Sequence, residues 1–500
     1  MKYAKLSLAS EYRTAKIDNR LYGSFLEHLG RAVYGGIYEP GHPLADSDGF
    51  RSDVLALVKE LNVPIVRYPG GNFVSGYNWT DGIGPRELRP ARLELAWGST
   101  ETNEFGTDEF MKWCKKAQTA PMMAVNLGTG TPDSARSLVE YCNHTGGTYY
   151  SDLRKKNGAA APYGVKLWCL GNEMDGNWQM GHKTEYEYGR TAAEAAKLMK
   201  WTDPSIETVL CGSSAWSMKS FGEWESTTLE LAYDNVDYIS MHQYHSNSDR
   251  YLENFLAKSV ETESFIKSVI AACDYVQGKR HAKKQINISF DEWNVWYHSA
   301  DAEFEKWSKA PRILEDVYNF ADALLVGTML NSFIRHADRI KIACLAQLVN
   351  VIAPIMTENG GAAWRQTIYY PFLFASKHAR GWSLQTVCDS SRYSTKYFSE
   401  VPDVDCSAVL SEDENELVIF AVNRDLNDSI TLETKLLDFE GFVPASHTAL
   451  ENRDPEAINT ENEENVKPVS KELPQTEGKI LRARLSPMSW NMIILKKRKD

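Results

Sequence analysis

The sequence predicts an α/β protein built as a (β/α)₈ TIM barrel, followed by a C-terminal antiparallel β-sandwich of jelly-roll-like type. Three observations predict it. At 500 residues the chain exceeds the ~250 to 300 residues at which single cores stop growing, so a large barrel with a smaller second domain is expected. Between residues 20 and 380, short apolar runs alternate with longer amphipathic ones, the pattern of repeated βα units around a parallel sheet. From Trp382 onward the long helical patterns give way to short alternating runs, the texture of antiparallel strands. A doubly wound nucleotide-binding sheet fits less well, because no glycine-rich phosphate motif follows any strand.

Taken in chain order, Lys2 to Leu8 alternates Tyr3, Lys5 and Ser7 against Ala4, Leu6 and Leu8, and reads as a strand added to the terminal sandwich. Eight barrel strands are expected at Leu21 to Leu26, Pro64 to Tyr68, Pro121 to Leu127, Lys166 to Leu170, Glu207 to Gly212, Val236 to Met241, Gln285 to Phe290 and Ile340 to Leu345. Helical patterns lie between them at Phe50 to Leu61, Asp108 to Ala117, Asp133 to Cys142, Lys183 to Trp201, Leu252 to Tyr275 and Arg312 to His336. The sandwich strands are expected at Glu416 to Asn423, Ser429 to Leu436, Lys479 to Leu485 and Ser489 to Leu495. The acidic stretch Glu451 to Glu464 reads as an exposed loop, and Lys496 to Lys499 as a solvated tail. The domain division expected is residues 18–381 for the barrel, with 1–17 and 382–500 forming the sandwich.

Composition narrows the function classes. Hydrophobic residues at 43% and charged residues at 24% exclude a disordered or fibrous chain. The 55 Lys and Arg against 67 Asp and Glu give a net charge of −12, which argues against nucleic acid as partner and favours neutral or cationic ligands. Eight cysteines stand singly in apolar runs such as Trp168-Cys169-Leu170, without CxxC pairs, and read as buried free thiols of a reducing compartment. The N-terminus lacks the apolar run of a signal peptide, and the apolar stretches Ala321 to Leu330 and Ile340 to Met356 fall short of the ~20 residues a membrane span needs. A cytoplasmic protein without membrane contact is expected.

In such a barrel, reactive groups gather at the C-terminal ends of the strands, where eight βα loops surround one point. Two glutamates stand there, Glu173 after the fourth strand and Glu292 after the seventh. A converging carboxylate pair suits glycosidic bond hydrolysis, one group protonating the leaving oxygen while the other attacks the anomeric carbon or activates water. Tyr68, Trp97, Tyr244 and Trp296 offer flat faces to sugar C–H groups, and Arg67, Asn72, Asn172 and Gln347 offer hydrogen bonds to ring hydroxyls. Asn172 beside Glu173 is the more specific signal, since it can hold the hydroxyl next to the reacting carbon. Singly, each residue has a plainer reading: a solvated glutamate, a Gly70-Gly71 turn, a Trp296 packed on the barrel. His242 and His245 invite a zinc site, yet His-x-x-His at a strand end aims its rings apart, so no metal is expected and His242 is read as orienting a catalytic carboxyl.

These residues carry a resemblance. Gly23 to Glu39, Arg67 to Phe73, Leu170 to Gly176, Phe290 to Trp296 and Ala343 to Asn350, with Tyr370-Pro371-Phe372, closely resemble glycoside hydrolase family 51, the intracellular α-L-arabinofuranosidases, over about three quarters of the chain. The resemblance implies a barrel with a C-terminal sandwich, retention of configuration and release of terminal arabinofuranosyl groups from arabinan, arabinoxylan and their oligosaccharides. It makes Glu173 the acid/base and Glu292 the nucleophile. It places Glu27, Asn72, Asn172, Tyr244 and Gln347 around the sugar ring, Arg67 and His242 behind the carboxyls, and Trp97 and Trp296 at the pocket mouth and leaving-group side. It implies a homo-oligomer, commonly a hexamer, and no cofactor. Independently, crowding by aromatic and Asn neighbours predicts a short carboxyl separation of ~5 to 5.5 Å and net retention. Two rival readings are a retaining pyranosidase on the same kind of barrel and a non-catalytic carbohydrate-binding protein; the presence of both glutamates disfavours the second.

Overall fold

A computed structural model describes residues 2–299 and 303–498. Eight parallel strands close into a barrel: β1 (Gly23–Phe25), β2 (Ile65–Tyr68), β3 (Ala120–Ala124), β4 (Leu167–Cys169), β5 (Glu207–Leu210), β6 (Tyr238–His245), β7 (Asn287–Val295) and β8 (Ile340–Ala346). Each falls on a strand expected from the sequence. Apolar residues such as Val66, Met122, Trp168, Ile288 and Ile342 fill the core, as a strand buried on both faces requires.

The helices form where an apolar stripe coincides with end signals. Ser52–Leu61 buries Val54, Leu55, Leu57, Val58 and Leu61 and stops at Asn62, whose φ of 55° is left-handed. Thr107–Ala117 carries Asp108 and Glu109 in its first turn and Lys115 and Lys116 in its last, matching the helix dipole at both ends. Two expected helices differ in the structure. The pattern from Leu252 breaks into Leu252–Leu256 and Ser259–Arg280. The one expected from Arg312 begins only at Phe320, where Asn319 caps it by accepting the Asp322 N–H at 3.1 Å.

The sandwich packs a seven-stranded sheet that includes Glu416–Asn423 and Ser489–Lys497 against a five-stranded sheet holding Lys2–Leu8, Ile430–Leu436 and Ile480–Leu485. Lys2–Leu8 buries Ala4, Leu6 and Leu8 as its alternation predicts. It pairs in parallel with Ile430–Leu436, however, so this sheet is mixed rather than wholly antiparallel. The helix Phe320–Arg335 lies between barrel and sandwich and is buried almost throughout. Gly327 permits the contact: a Cβ there would stand 2.5 Å from the Trp490 ring.

The acidic loop is not simply solvated. Pro455 O accepts the Ala321 N–H at 2.9 Å, Ile458 bridges to Asn319, and Asn459 is buried, so the loop covers the start of the interdomain helix. The basic tail is in part a strand, since Lys496 and Lys497 pair with Val443 and Phe442; Lys499 lies outside the described residues, as does Met1. All eight cysteines are free, seven of them buried. Among the described residues no helix is long and apolar enough to cross a membrane.

Candidate active site

The mouth of the barrel is built on a pair of charged spokes. Arg67, last but one in β2, is 1% exposed and lies 4.6 Å from the Phe25 ring. Its Nη1 donates to Glu292 Oε2 at 2.9 Å and its Nη2 to Asn172 Oδ1 at 2.5 Å. His242 on β6 stands across from it, with Nδ1 3.0 Å from Glu173 Oε1 and 3.6 Å from Glu292 Oε2, and Nε2 3.0 Å from Asp291 Oδ1.

Asp291 and Glu292 are consecutive, and alternation on a regular strand would send one of them out of the barrel. The register of β7 prevents this. Between Ser289 and Glu292 it advances three residues while β6 advances two, from Ser240 to His242; against β8 a matching slip falls between Phe290 and Trp293. The bulge lets both carboxylates meet inward-facing partners. Asp291 faces His242, with Arg67 Nε at 4.0 Å; Glu292 meets Arg67 and the Tyr244 hydroxyl, which donates to Oε1 at 2.8 Å.

Glu173 follows β4 through Gly171, whose φ is 94°, and itself adopts a φ of 45°. A non-glycine residue in that region costs free energy, and it is held here by the hydrogen bonds of its carboxyl. Oε2 accepts from the Trp178 indole at 2.8 Å, a contact with no counterpart among the residues singled out by strand ends. One oxygen of Glu173, one of Glu292 and a ring nitrogen of His242 all lie within 4.8 Å of one another.

The floor of the cleft belongs to Glu27. Oε1 accepts from Phe73 N at 2.8 Å and from Trp97 Nε1 at 3.0 Å. Gln347 closes the ring, its Oε1 accepting Glu27 N–H at 3.0 Å and its Nε2 lying 3.4 Å from Glu27 Oε2. Gly71 is required for this: a Cβ would sit 2.2 Å from Glu27 Oε2, so the Gly70-Gly71 pair is more than a turn. Asn72 Oδ1 accepts from Gln179 Nε2 at 2.7 Å and Asn172 Nδ2 at 3.3 Å. Trp296 is 37% exposed at the rim and packs edge-on to Tyr244, ring centres 5.6 Å apart.

The electrostatics follow from this crowding. Burial opposes the charge on His242, but Glu292, Asp291 and Glu173 outweigh it and push the imidazole up to about 10. Burial would raise Asp291, yet Arg67 and His242 hold it below the ordinary carboxylate range. Glu292 is raised by burial and by Glu173, against the pull of His242, Arg67 and Tyr244. Glu27 is pushed up to about 8, chiefly by burial, with Glu292 and Glu94 adding to it.

The spacing of Glu173, His242 and Glu292 could by distance hold a cation. Both ring nitrogens of His242 are already placed against carboxyl groups, Nδ1 on Glu173 and Nε2 on Asp291. His245 points elsewhere: Nε2 meets Thr262 Oγ1 at 2.9 Å, and burial lowers it to about 3. The two rings diverge as their spacing predicts.

Of the residues singled out from the sequence, Glu173, Glu292, Glu27, Asn72, Asn172, Tyr244, Gln347, Trp296, Arg67, His242 and Trp97 gather at the barrel mouth; Tyr68 does not offer a face to a sugar there, its ring stacking on Phe110 with centres 4.1 Å apart and its hydroxyl lying 2.7 Å from His28 Nε2. Sequence reasoning missed Asp291, Trp178 and Gln179 as partners. Asp291 carried a signal, standing next to Glu292 in an apolar strand; Trp178 and Gln179 lie in a loop with no periodicity to read.

An α-L-arabinofuranosidase 1 domain model matches residues 57–263, and an α-L-arabinofuranosidase C-terminal domain model matches residues 291–489. The chain is 58% identical over 499 residues to an intracellular exo-α-(1→5)-L-arabinofuranosidase of Bacillus subtilis, covering 99% of this chain and 100% of the relative. It is 54% identical over 497 residues to the enzyme of that name from Halalkalibacterium halodurans, covering 99% of each. The solved structure of a family 51 α-L-arabinofuranosidase from Bifidobacterium longum superposes with a TM-score of 0.95 at 43% identity, covering 99% of both chains.

Proposed function

The chain belongs to the family 51 α-L-arabinofuranosidases, and from that premise we propose a retaining, exo-acting enzyme that hydrolyses terminal non-reducing arabinofuranosyl residues. Its substrates are oligosaccharides derived from arabinan and arabinoxylan. The observation that carries the mechanism is the approach of the carboxylates: oxygens of Glu173 and Glu292 lie within 4.8 Å. That suits the ~5 to 5.5 Å carboxyl spacing of double displacement and leaves too little room for the water that inversion places between groups ~6.5 to 9.5 Å apart.

Glu292 attacks the anomeric carbon while Glu173 protonates the leaving oxygen; the glycosidic bond breaks and an ester to Glu292 forms. Water then attacks the anomeric carbon while Glu173 takes its proton; the bond from that carbon to Glu292 breaks, the carboxylate is restored, and arabinose leaves with its configuration retained. Arg67 and Tyr244 donate to Glu292 and favour its ionised, nucleophilic form. His242 and Arg67 position the two carboxyls. Glu27, Asn72, Asn172, Tyr244 and Gln347 hold the furanose ring, and the protonated Glu27 favoured at neutral pH adds a donor for a sugar oxygen. Trp97 and Trp296 shape the mouth and the leaving-group side.

An intracellular location accords with the names of the relatives, and a homo-oligomer, as a hexamer, with the family resemblance; light scattering checks the latter. Residues 18–381 would form the catalytic unit and 1–17 with 382–500 the second unit, a division supported by the pairing of Arg13–Lys16 with Trp382–Leu384. The test of the activity is a panel of nitrophenyl glycosides with the first product anomer followed by NMR. Preference for the α-L-arabinofuranoside, a retained product and transfer to added methanol are expected. A pyranoside preference would favour the rival enzyme reading, and an inverted product would overturn double displacement.

A further inference from the structure

We propose that Trp178 is a positioning residue that gates the acid: its indole N–H occupies the Glu173 oxygen that must deliver the proton, and the leaving group displaces it. The inference rests on the reading of Glu173 as acid/base and adds the element that controls it.

The argument is a donor count. An indole N–H can only donate, so Glu173 Oε2, 2.8 Å from Trp178 Nε1, is an acceptor. Asp291 is an ionised acceptor, so His242 Nε2 at 3.0 Å carries a proton. Nδ1 stands between two carboxyl groups, 3.0 Å from Glu173 Oε1 and 3.6 Å from Glu292 Oε2, and so is placed to donate as well. Both oxygens of Glu173 therefore face N–H donors. A general acid needs one oxygen that carries a proton and faces the glycosidic oxygen. One of the two donors must leave.

The surroundings decide which. His242 is 2% exposed and wedged among Glu173, Glu292 and Asp291; withdrawing it would strand three buried carboxylates. Trp178 is 50% exposed and has open solvent on one side. It rides on a turn closed by Gln179 N–H to Gly176 O at 3.0 Å, and Gly176 makes room for its ring, since a Cβ there would lie 2.4 Å from it. The next residue, Gln179, donates to Asn72 Oδ1 at 2.7 Å. One turn thus touches the sugar-binding oxygen of Asn72 and the acid oxygen of Glu173 through adjacent side chains. A sugar hydroxyl competing for Asn72 and a leaving group competing for the indole position would loosen the same turn, so the acid is freed only when both sides of the scissile bond are filled. Once displaced, the flat indole can pack against the departing sugar.

The other charged or titratable groups around Glu173 are His242 and Glu292, Tyr244 through Glu292, and Asp175, whose carboxyl accepts from Ser214. Trp178→Phe leaves all of them in place and removes only the N–H; Trp178→Ala removes the ring as well. Trp178 is exposed enough for the fold to persist in both variants, which circular dichroism and Tm check. The experiment measures kcat/KM against pH for the wild type, both variants and Glu173→Ala, on an arabino-oligosaccharide and on 4-nitrophenyl arabinofuranoside. Losing a donor to the carboxylate lets the carboxyl keep its proton longer, so in both Trp variants the basic limb should move up by about one pH unit. Trp178→Ala should in addition raise KM severalfold for the oligosaccharide alone. A Trp178→Phe profile that superimposes on the wild type, with Glu173→Ala having lost its basic limb, overturns the gate and leaves the acid assignment standing. A basic limb that persists in Glu173→Ala overturns the acid assignment and the gate with it.

Discussion

The barrel mouth and the sandwich core both bury side chains, yet they bury opposite materials. In the sandwich, Ala4, Leu6, Leu417, Ile419, Ile493 and Leu495 are 0–1% exposed and carry no polar side-chain atom; each contributes stability at about 25 cal/mol per Å² of apolar surface removed from water. At the mouth, Glu27, Arg67, His242, Asp291 and Glu292 are buried, and each would be destabilising alone, since a charge removed from water is tolerated only when paired. The pairing is nearly complete, and what remains unbalanced appears as displaced protonation in Glu27 and His242. The sandwich core is built from apolar side chains and the proposed active site from paired charges, so substitutions should separate the two.

The largest expected effect is in Glu292→Ala. Without a nucleophile no ester forms, so turnover should fall by roughly 10⁴-fold or more, while the circular dichroism spectrum is retained. Added azide should restore activity with an inverted product, detected by NMR. Near-normal turnover would remove Glu292 from the mechanism.

Next comes Glu173→Ala, which should lose roughly 10²- to 10⁴-fold on oligosaccharides but far less on activated aryl glycosides in the glycosylation step, because a good leaving group needs no acid. Pre-steady-state bursts on the two substrate classes measure this. Equal losses on both would assign the acid elsewhere.

The sandwich should respond in the opposite sense. Ile419→Ala removes a fully buried side chain, and the cavity should cost about 2 to 5 kcal/mol, seen as a lower urea midpoint with kcat per folded molecule unchanged. A matching loss of kcat would show that the two regions are coupled.

The smallest effect sharpens the comparison. Glu27 has its carboxyl raised from 4.5 to about 8 in the folded state. The unfolded chain releases that proton near pH 4.5 and the native state keeps it, so the unfolded state gains as pH rises. Stability owed to this group is complete below 4.5 and is lost progressively up to 8. Glu27→Gln cannot ionise, so its Tm relative to wild type should climb by a few degrees across that window and level off above it, while activity falls. A difference in Tm independent of pH would show that Glu27 is ionised in the native state.

Much of this protein was legible in its sequence for reasons that are local. All eight barrel strands were readable because a strand buried on both faces must be a short apolar run, and Gly, Pro or polar residues end it. The catalytic candidates were readable because barrel topology places every strand end at one mouth. Three helices were not readable. Tyr149–Lys156 is short and polar; Glu223–Ala232 contains Thr227 and Thr228, the latter turned back onto Trp224 O at 2.7 Å; Tyr369–His378 holds Pro371 in its first turn and is apolar on nearly every side.

Residue type and order along the chain were therefore enough for the βα alternation, for the change to antiparallel texture after the barrel, and for placing Glu173 and Glu292 with most of their neighbours at one mouth. The tertiary structure alone decided the rest. Only the register slip in β7 brings Asp291 and Glu292 to the same side, and only the turn after Glu173 sets the Trp178 indole on its oxygen. Only sheet assembly lays Lys2–Leu8 parallel to Ile430–Leu436. The physical reason is common to all three: each joins groups by a backbone offset or a long-range pairing, and such offsets leave no periodicity in the chain from which they could be read.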